Sequence, residues 1–337
     1  MDIYLILIFL FINALIVSKY DALAIKIDLY DKPDNVRKKH KYSTPAIGGI
    51  IIFFNIILFS IIANIVENEQ LIYKIINLDQ SNILKYLSFF LPVTLLFFLG
   101  FLDDKYTIKA SIKFLLQTLI IIFAISLNSD LIIINIFSQV LNFSIDSATS
   151  RFVFTLLCFL AFINAFNMFD GINLQSSTYA LFLLIIIFFR DGYNEASIVL
   201  LLSVTTFIYL NKKDKCFLGD NGTLLLSFLI SFLLVYNYNT KYIFRADEIF
   251  LMLLIPVIDL LRLFIIRTMN RNNVFRPDRN HLHHLLSNSY SELQVVVVIN
   301  IMIFLPLMLF YLGIHSLICI FFSILTYSIA VYKSSNK

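Results

Sequence analysis

The chain is a succession of long apolar runs separated by short polar links, and that pattern leaves it few folds to adopt. A helix crossing a bilayer needs about 20 mostly apolar residues. Eleven stretches approach that length with few or no charges: 2–19, 46–66, 83–102, 111–128, 151–169, 178–190, 195–211, 223–238, 247–268, 293–313 and 315–332. Of the 337 residues, 59% are hydrophobic and only 14% charged, so a soluble domain would have no interior large enough to hold them. The expected fold is therefore all-α, a polytopic membrane helix bundle of about eleven transmembrane helices forming one domain over residues 1–337. The first run begins directly after Met1-Asp2, without the basic flank or cleavage site of a signal peptide, and is read as a retained span. A further apolar run, 131–141, is read as an external re-entrant or β segment.

Charge supplies the sidedness. With the N-terminus outside, the links 20–45, 103–110, 170–177, 212–222 and 269–292 and the C-terminal tail share one compartment. Assigning each Lys and Arg to its nearer face puts twenty of the 26 on that side and six (Lys74, Lys85, Arg151, Arg190, Lys241 and Arg245) on the other. By the positive-inside rule those links and the C-terminus are expected to be cytoplasmic. Three scattered cysteines, Cys158, Cys216 and Cys319, have no metal or redox spacing.

Every unusual polar cluster falls in or beside one of those links. Asp103 and Asp104 end the third run, with Lys113 and Gln117 on one face of the fourth. Keeping adjacent carboxylates ionised near lipid calls for a divalent cation or basic partners, while a helix-end cap is the plainer alternative. Asn164, Asn167 and Asp170 follow at steps of three, which puts them on one stripe of an otherwise apolar helix, and Gly171 and Asn173 come next. Interhelical hydrogen bonding explains the asparagines but not an Asp-Gly turn beginning at the interface. Gly219-Asp220-Asn221-Gly222 leads into the eighth run. It is either an ordinary turn or a phosphate-binding one in which Asp220 offers a hard oxygen to magnesium. In the last long link Arg276 and Arg279 stand beside His281, His283 and His284. Without a nearby cysteine or a well-spaced fourth ligand, this set suits an anionic substrate better than zinc. Arg37, Lys38, Lys39 and His40, after Asp31-Lys32-Pro33, read as topology signal, as a site for lipid or substrate phosphate, or as both.

Six motifs in order resemble the polyprenyl-phosphate N-acetylhexosamine-1-phosphate transferases of glycosyltransferase family 4, in the undecaprenyl-phosphate GlcNAc-1-phosphate branch. They are Asp-x-Pro…Arg-Lys-x-His…Pro-x-x-Gly-Gly at 31–49, Asp-Asp at 103–104 with Lys113 and Gln117, and Asn-x-x-Asn-x-x-Asp-Gly at 164–171. Gly-Asp-x-Gly at 219–222, Pro-x-x-Asp at 256–259 and Pro-Asp-Arg-x-His-x-His-His at 277–284 complete the set. One departure stands out: the family usually reads Asp-Gly-Ile-Asp-Gly-Leu where this chain has Asp170-Gly171-Ile172-Asn173-Leu174-Gln175.

The resemblance implies an enzyme of cell-envelope polysaccharide synthesis in the cell membrane, with its active site on the cytoplasmic face. It would move N-acetylhexosamine 1-phosphate from a UDP-sugar to polyprenyl phosphate and release UMP. It further implies Asp103 and Asp104 as catalytic carboxylates, and Mg2+ or Mn2+ held by Asp220 with Asn167. Lys113, Asn164, Asp170, Asn173, Arg37, His40, Arg279, His281, His283 and His284 would bind substrate. No nucleic-acid partner is expected, and a homodimer is compatible. The neighbouring alternative is a phospho-MurNAc-pentapeptide transferase, and from another class a transporter or flippase. Transport would place functional groups near the midplane, whereas this chain gathers them at one face.

Overall fold

A computed structural model describes residues 3–31, 33, 43–66, 83–192, 195–271, 273 and 278–335. Its helices are α1 (Ile3–Ser18), α2 (Tyr20–Ile27), α3 (Gly48–Val66), α4 (Ile83–Tyr106), α5 (Ala110–Leu127), α6 (Ala148–Phe169) and α7 (Gln175–Asp191). They continue with α8 (Glu195–Asn211), α9 (Gly219–Tyr236), α10 (Ala246–Met269), a short α11 (Leu282–Leu286), α12 (Glu292–Tyr311) and α13 (Ser316–Ser335). Two small antiparallel ribbons accompany them, β1 (Tyr30–Asp31) with β2 (Thr44–Pro45) and β3 (Asn135–Phe137) with β4 (Asn142–Ser144).

A helix lies over each apolar run expected to span. Seven are long and apolar enough to cross a membrane: α4, α5, α6, α9 with its extension to Lys241, α10, α12 and α13. The pair α1 and α2, bent by 71° at Lys19, makes an eighth if taken as one span, while α3 and α8 are shorter apolar helices. The protein is thus a polytopic helical membrane protein. In hydrocarbon a backbone must satisfy its own polar groups, and these Leu-, Ile- and Phe-rich runs do so within each helix. The ends carry explicit stops and starts. Ser291 and Gln294 form a capping box at α12, with the Ser291 N–H donating to Gln294 Oε1 at 3.0 Å.

α9 is the central staff. The window of its span is 89% buried, against 22% for α5 and for α13, so other helices surround α9 while those two present most of their surface outward. α4, α6 and α3 pack around it. A Cβ at Gly100 of α4 would lie 2.3 Å from the Asp220 carbonyl oxygen, so α4 and α9 meet backbone to backbone. Within the apolar interior α1 and α3 are joined by a reciprocal amide pair, Asn13 Nδ2 to Asn55 Oδ1 at 2.9 Å and Asn55 Nδ2 to Asn13 Oδ1 at 3.3 Å.

The run 131–141 forms the turn and first strand of the β3–β4 hairpin, between the end of α5 and the start of α6. Tyr238, just past α9, fixes the hairpin by accepting the Phe137 N–H and donating to the Asn135 carbonyl, both at 2.8 Å. Asp247 accepts the Gln139 N–H at 2.8 Å, and Gln139 Oε1 accepts the Ser316 N–H at 2.7 Å. The hairpin therefore ties together the α9, α10 and α13 ends that lie opposite the Asp-Asp pair.

Candidate active site

At the other end of the bundle the acidic clusters converge. α4 delivers Asp103 in its last turn, α5 delivers Lys113 in its first, and α9 delivers Asp220 in its first. Lys113 Nζ lies 2.8 Å from Asp103 Oδ2 and 2.8 Å from Asp220 Oδ2, an ammonium bridging two carboxylates from different helices. Asp103 Oδ1 accepts the Ile108 N–H at 2.6 Å, which fixes the α4–α5 turn. Asn167 of α6 donates to Asp220 Oδ1 and, at 2.7 Å, to Thr223 Oγ1. Asp104 points elsewhere, accepting the Asp220 and Asn221 N–H groups at 2.9 Å each and the Asn221 side-chain amide at 2.5 Å.

The α6–α7 turn adds a second layer. Asp170 accepts a hydrogen bond from Ser176. Burial, opposed by that bond and reinforced by the Asp220 charge, pushes the Asp170 pKa up to about 7. Gly171 is where the histidine link docks: a Cβ there would fall 1.9 Å from His283 Nε2. His283 is buried, and its Nε2 has no hydrogen-bond partner among the described residues. Burial first, then the charges of His284 and His281, push its pKa well below the usual histidine value, so the imidazole is neutral at pH 7. The ring of His284 is 4.2 Å from that of His283, and Arg279 is near enough for its charge to act on His283.

His281 is held from below by Asp259 of α10. Its Nδ1 lies 3.1 Å from Asp259 Oδ2, and since a carboxylate only accepts, Nδ1 carries the proton and Nε2 is left for other partners. The same carboxylate accepts from Arg262 Nη2 at 2.9 Å and from the Tyr327 hydroxyl of α13 at 2.8 Å. Arg262 Nη2 also donates to the Asn280 carbonyl at 2.5 Å. The histidine link is thereby built onto α10 and α13.

Two residues expected at the substrate are engaged elsewhere. Asn164 donates to the Leu160 carbonyl one turn back on its own helix, at 2.8 Å. Asn173 donates to Asp214 Oδ1 at 2.5 Å and accepts from Asn211 at 3.1 Å, which ties the α6–α7 turn to the α8–α9 link. An aspartate at 173 would set a carboxylate against Asp214. At the next position the backbone keeps a glycine-like φ of 69° although the residue is Leu174. Arg37, His40 and Arg276 lie outside the described residues.

Sequence reasoning passed over Asn221, Ser176, Thr223 and Tyr327. Asn221 lay inside a motif already noticed, whereas Tyr327, 68 residues from Asp259 and in an ordinary apolar helix, carried no local signal. Among the described residues no three His, Cys, Asp or Glu side chains converge as a metal-binding group. The oxygen donors that do face one another are Asp103 and Asp220 across Lys113. Such a pair suits a hard cation whose remaining positions are filled by substrate phosphate and water rather than by a protein cage.

Residues 86–238, which carry α4 to α9 and both acidic helix ends, match the model of the family described as glycosyl transferase family 4. That segment is similar to the family over somewhat less than half of the chain. Among curated relatives, a probable undecaprenyl-phosphate N-acetylglucosaminyl 1-phosphate transferase of Bacillus subtilis is 28% identical over 78% of this chain and 71% of its own length. Undecaprenyl-phosphate alpha-N-acetylglucosaminyl 1-phosphate transferases of Salmonella typhi (28% identical; 88% of this chain, 79% of theirs) and Thermotoga maritima (26%; 86% and 83%) are similar along comparable spans. The bridged carboxylates lie inside the matched segment and the histidine link beyond it.

Proposed function

We propose that this membrane enzyme transfers GlcNAc 1-phosphate from UDP-GlcNAc to undecaprenyl phosphate, releasing UMP, on the cytoplasmic face of the cell membrane. The observation that carries the reading is the Asp103–Lys113–Asp220 bridge, assembled from three helix ends inside the segment shared with family 4. Two of the relatives are named for this transfer and a third as probable for it.

In the proposed step a lipid phosphate oxygen attacks the sugar-bearing phosphorus of the donor, the phosphoanhydride bond to the nucleoside monophosphate breaks, and UMP leaves. The anomeric bond stays intact. One phosphoanhydride replaces another, so the protein's task is in-line alignment and charge neutralisation. Lys113 supplies a cation that can pass from its two carboxylates to a phosphate oxygen. Asp103 faces the incoming acceptor, where it can hold the lipid phosphate's last proton. Asn167 fixes the Asp220 side chain. His281, oriented by Asp259, presents Nε2 to the donor, while neutral His283, seated on Gly171, keeps the histidine link against the α6–α7 turn. Mg2+ or Mn2+, held by Asp220 and Asp103, would when bound neutralise the diphosphate and polarise the phosphorus under attack. The prenyl chain would lie against the outward faces of the helices.

The test is incubation of purified protein with a panel of UDP-sugars, undecaprenyl phosphate and magnesium, with the lipid products read by mass. A gain of one N-acetylhexosamine phosphate from UDP-GlcNAc, with an equivalent of UMP, is expected. No lipid product from any UDP-sugar refutes the reading, and a product carrying only another sugar refutes its donor.

A further inference from the structure

We propose that Asp104, unlike its neighbour Asp103, is a positioning residue that caps the first turn of α9 from the end of α4 and so sets the Asp220 carboxylate opposite Lys113. The inference rests on the reading of this site as a phosphoryl-transfer centre.

The first N–H groups of any helix lack partners within it. α9 has no cap of its own, because Leu218 stands at its N-cap in a helical conformation and offers no side-chain oxygen. Asp104 supplies what is missing from another helix. Its Oδ1 accepts the Asp220 N–H at 2.9 Å, and its Oδ2 accepts the Asn221 N–H at 2.9 Å and the Asn221 side-chain amide at 2.5 Å. A carboxylate is also favoured at the positive end of the helix dipole. Gly219, at φ 72°, makes the contact feasible, since a Cβ there would lie 2.7 Å from Asp104 Oδ2. The Asn221 amide donates in addition to the Ala46 carbonyl at 2.8 Å, just before α3, so one carboxylate aligns three helix ends.

A carboxylate accepts about four hydrogen bonds. Three acceptor positions of Asp104 are filled, two of them by backbone donors that cannot turn aside. Asp103 instead has Lys113 on Oδ2, a side chain that can move when a phosphate arrives. Consecutive helical residues point about 100° apart, which lets one of the pair address the site while the other addresses the helix packed behind it. The adjacent aspartates therefore divide the work: Asp103 acts on the reacting groups, and Asp104 acts on Asp220 through the backbone of α9.

The test compares Asp104→Asn, Asn221→Ala and Asp103→Asn in the full-length protein by two measurements that need no turnover. One is thermal unfolding by circular dichroism without divalent metal, and the other is Mn2+ affinity from the electron paramagnetic resonance signal of the free ion. Asp104→Asn and Asn221→Ala are expected to melt several degrees below the parent and to bind Mn2+ about tenfold more weakly. Asp103→Asn, whose amide oxygen can still accept the Ile108 N–H, is expected to melt closer to the parent than Asp104→Asn while losing Mn2+ affinity. If Asp104→Asn melted like the parent yet lost Mn2+ binding, Asp104 would be a ligand and the proposal overturned. Lower melting with parent-like Mn2+ affinity would overturn it too, since the cap would then not position Asp220. A parent protein that formed no lipid product would sink the transferase reading without altering either measurement.

Discussion

Asp220 is the carboxylate on which the site turns, bridged to Lys113, fixed by Asn167 and set at the start of the most buried helix. Asp220→Asn is expected to lower turnover on the order of 10²–10³-fold, the usual cost of removing one preorganised charge. It should also raise the magnesium concentration needed for half-maximal rate, and titration of rate against magnesium checks both. Asp170 makes a different prediction. Below about pH 4 both folded and unfolded chains hold its proton. Between there and its folded pKa of about 7 only the unfolded chain loses it, so folding stability falls as pH rises, and above 7 the penalty is complete. Asp170→Asn should therefore melt like the parent near pH 4 and above it at pH 8, which parallel melting curves will show. Gly171 is needed because His283 occupies the space a Cβ would take. Gly171→Ala is expected to reduce turnover at least tenfold by lifting the histidine link. Added to His283→Ala it should cost little more, the non-additivity of residues in contact.

At the scale of elements, α9 serves as a rigid reference to which α4 brings Asp103 and Asp104, α5 brings Lys113 and α6 brings Asn167. The short α11 is too small to hold a position by itself, at five residues from Leu282 to Leu286. What places it is the Asp259 carboxylate beneath, accepting from Arg262, Tyr327, His281 and the Leu282 N–H. Tyr327→Phe removes one donor from that group and should destabilise the link by about 1 kcal/mol. Hydrogen exchange over 278–286 is expected to speed up while the α9 amides stay protected. Equal exchange in parent and variant would show that Arg262 and His281 suffice.

For the whole molecule the helices separate two ends of different character. One gathers Asp103, Lys113, Asp220, Asp170 and the histidine link, and the other is closed by the β3–β4 hairpin pinned to α9, α10 and α13. By the positive-inside rule the uneven Lys and Arg distribution predicts a cytoplasmic first end. Single cysteines introduced at Lys105 and Asn288 should resist a membrane-impermeant thiol reagent added to intact cells, and one at Asn142 should react. Reversed labelling would invert the topology and leave the site facing a compartment without nucleotide sugars.

The apolar runs alone determined that this chain forms a bundle of membrane helices, because in a bilayer hydrophobic length and internally satisfied backbone leave no other arrangement. Motif order pointed to Asp103, Lys113, Asn167 and Asp220, which the fold brings together at one end of the bundle. The 131–141 run is open in sequence to a further span, a re-entrant segment or a β segment, and the pairing of Ile136 with Phe143 decides for the last. Tertiary structure alone decided which way each side chain points. Asp103 and Asp104 are equivalent as letters, and only the packing of α9 against α4 turns one toward Lys113 and the other toward a helix end. Likewise Asn164 bonds its own helix and Asn173 bonds Asp214, and Tyr327 reaches Asp259 from the far end of the sequence. Such contacts depend on the approach of helices distant in the chain, and no local pattern of residues encodes that distance.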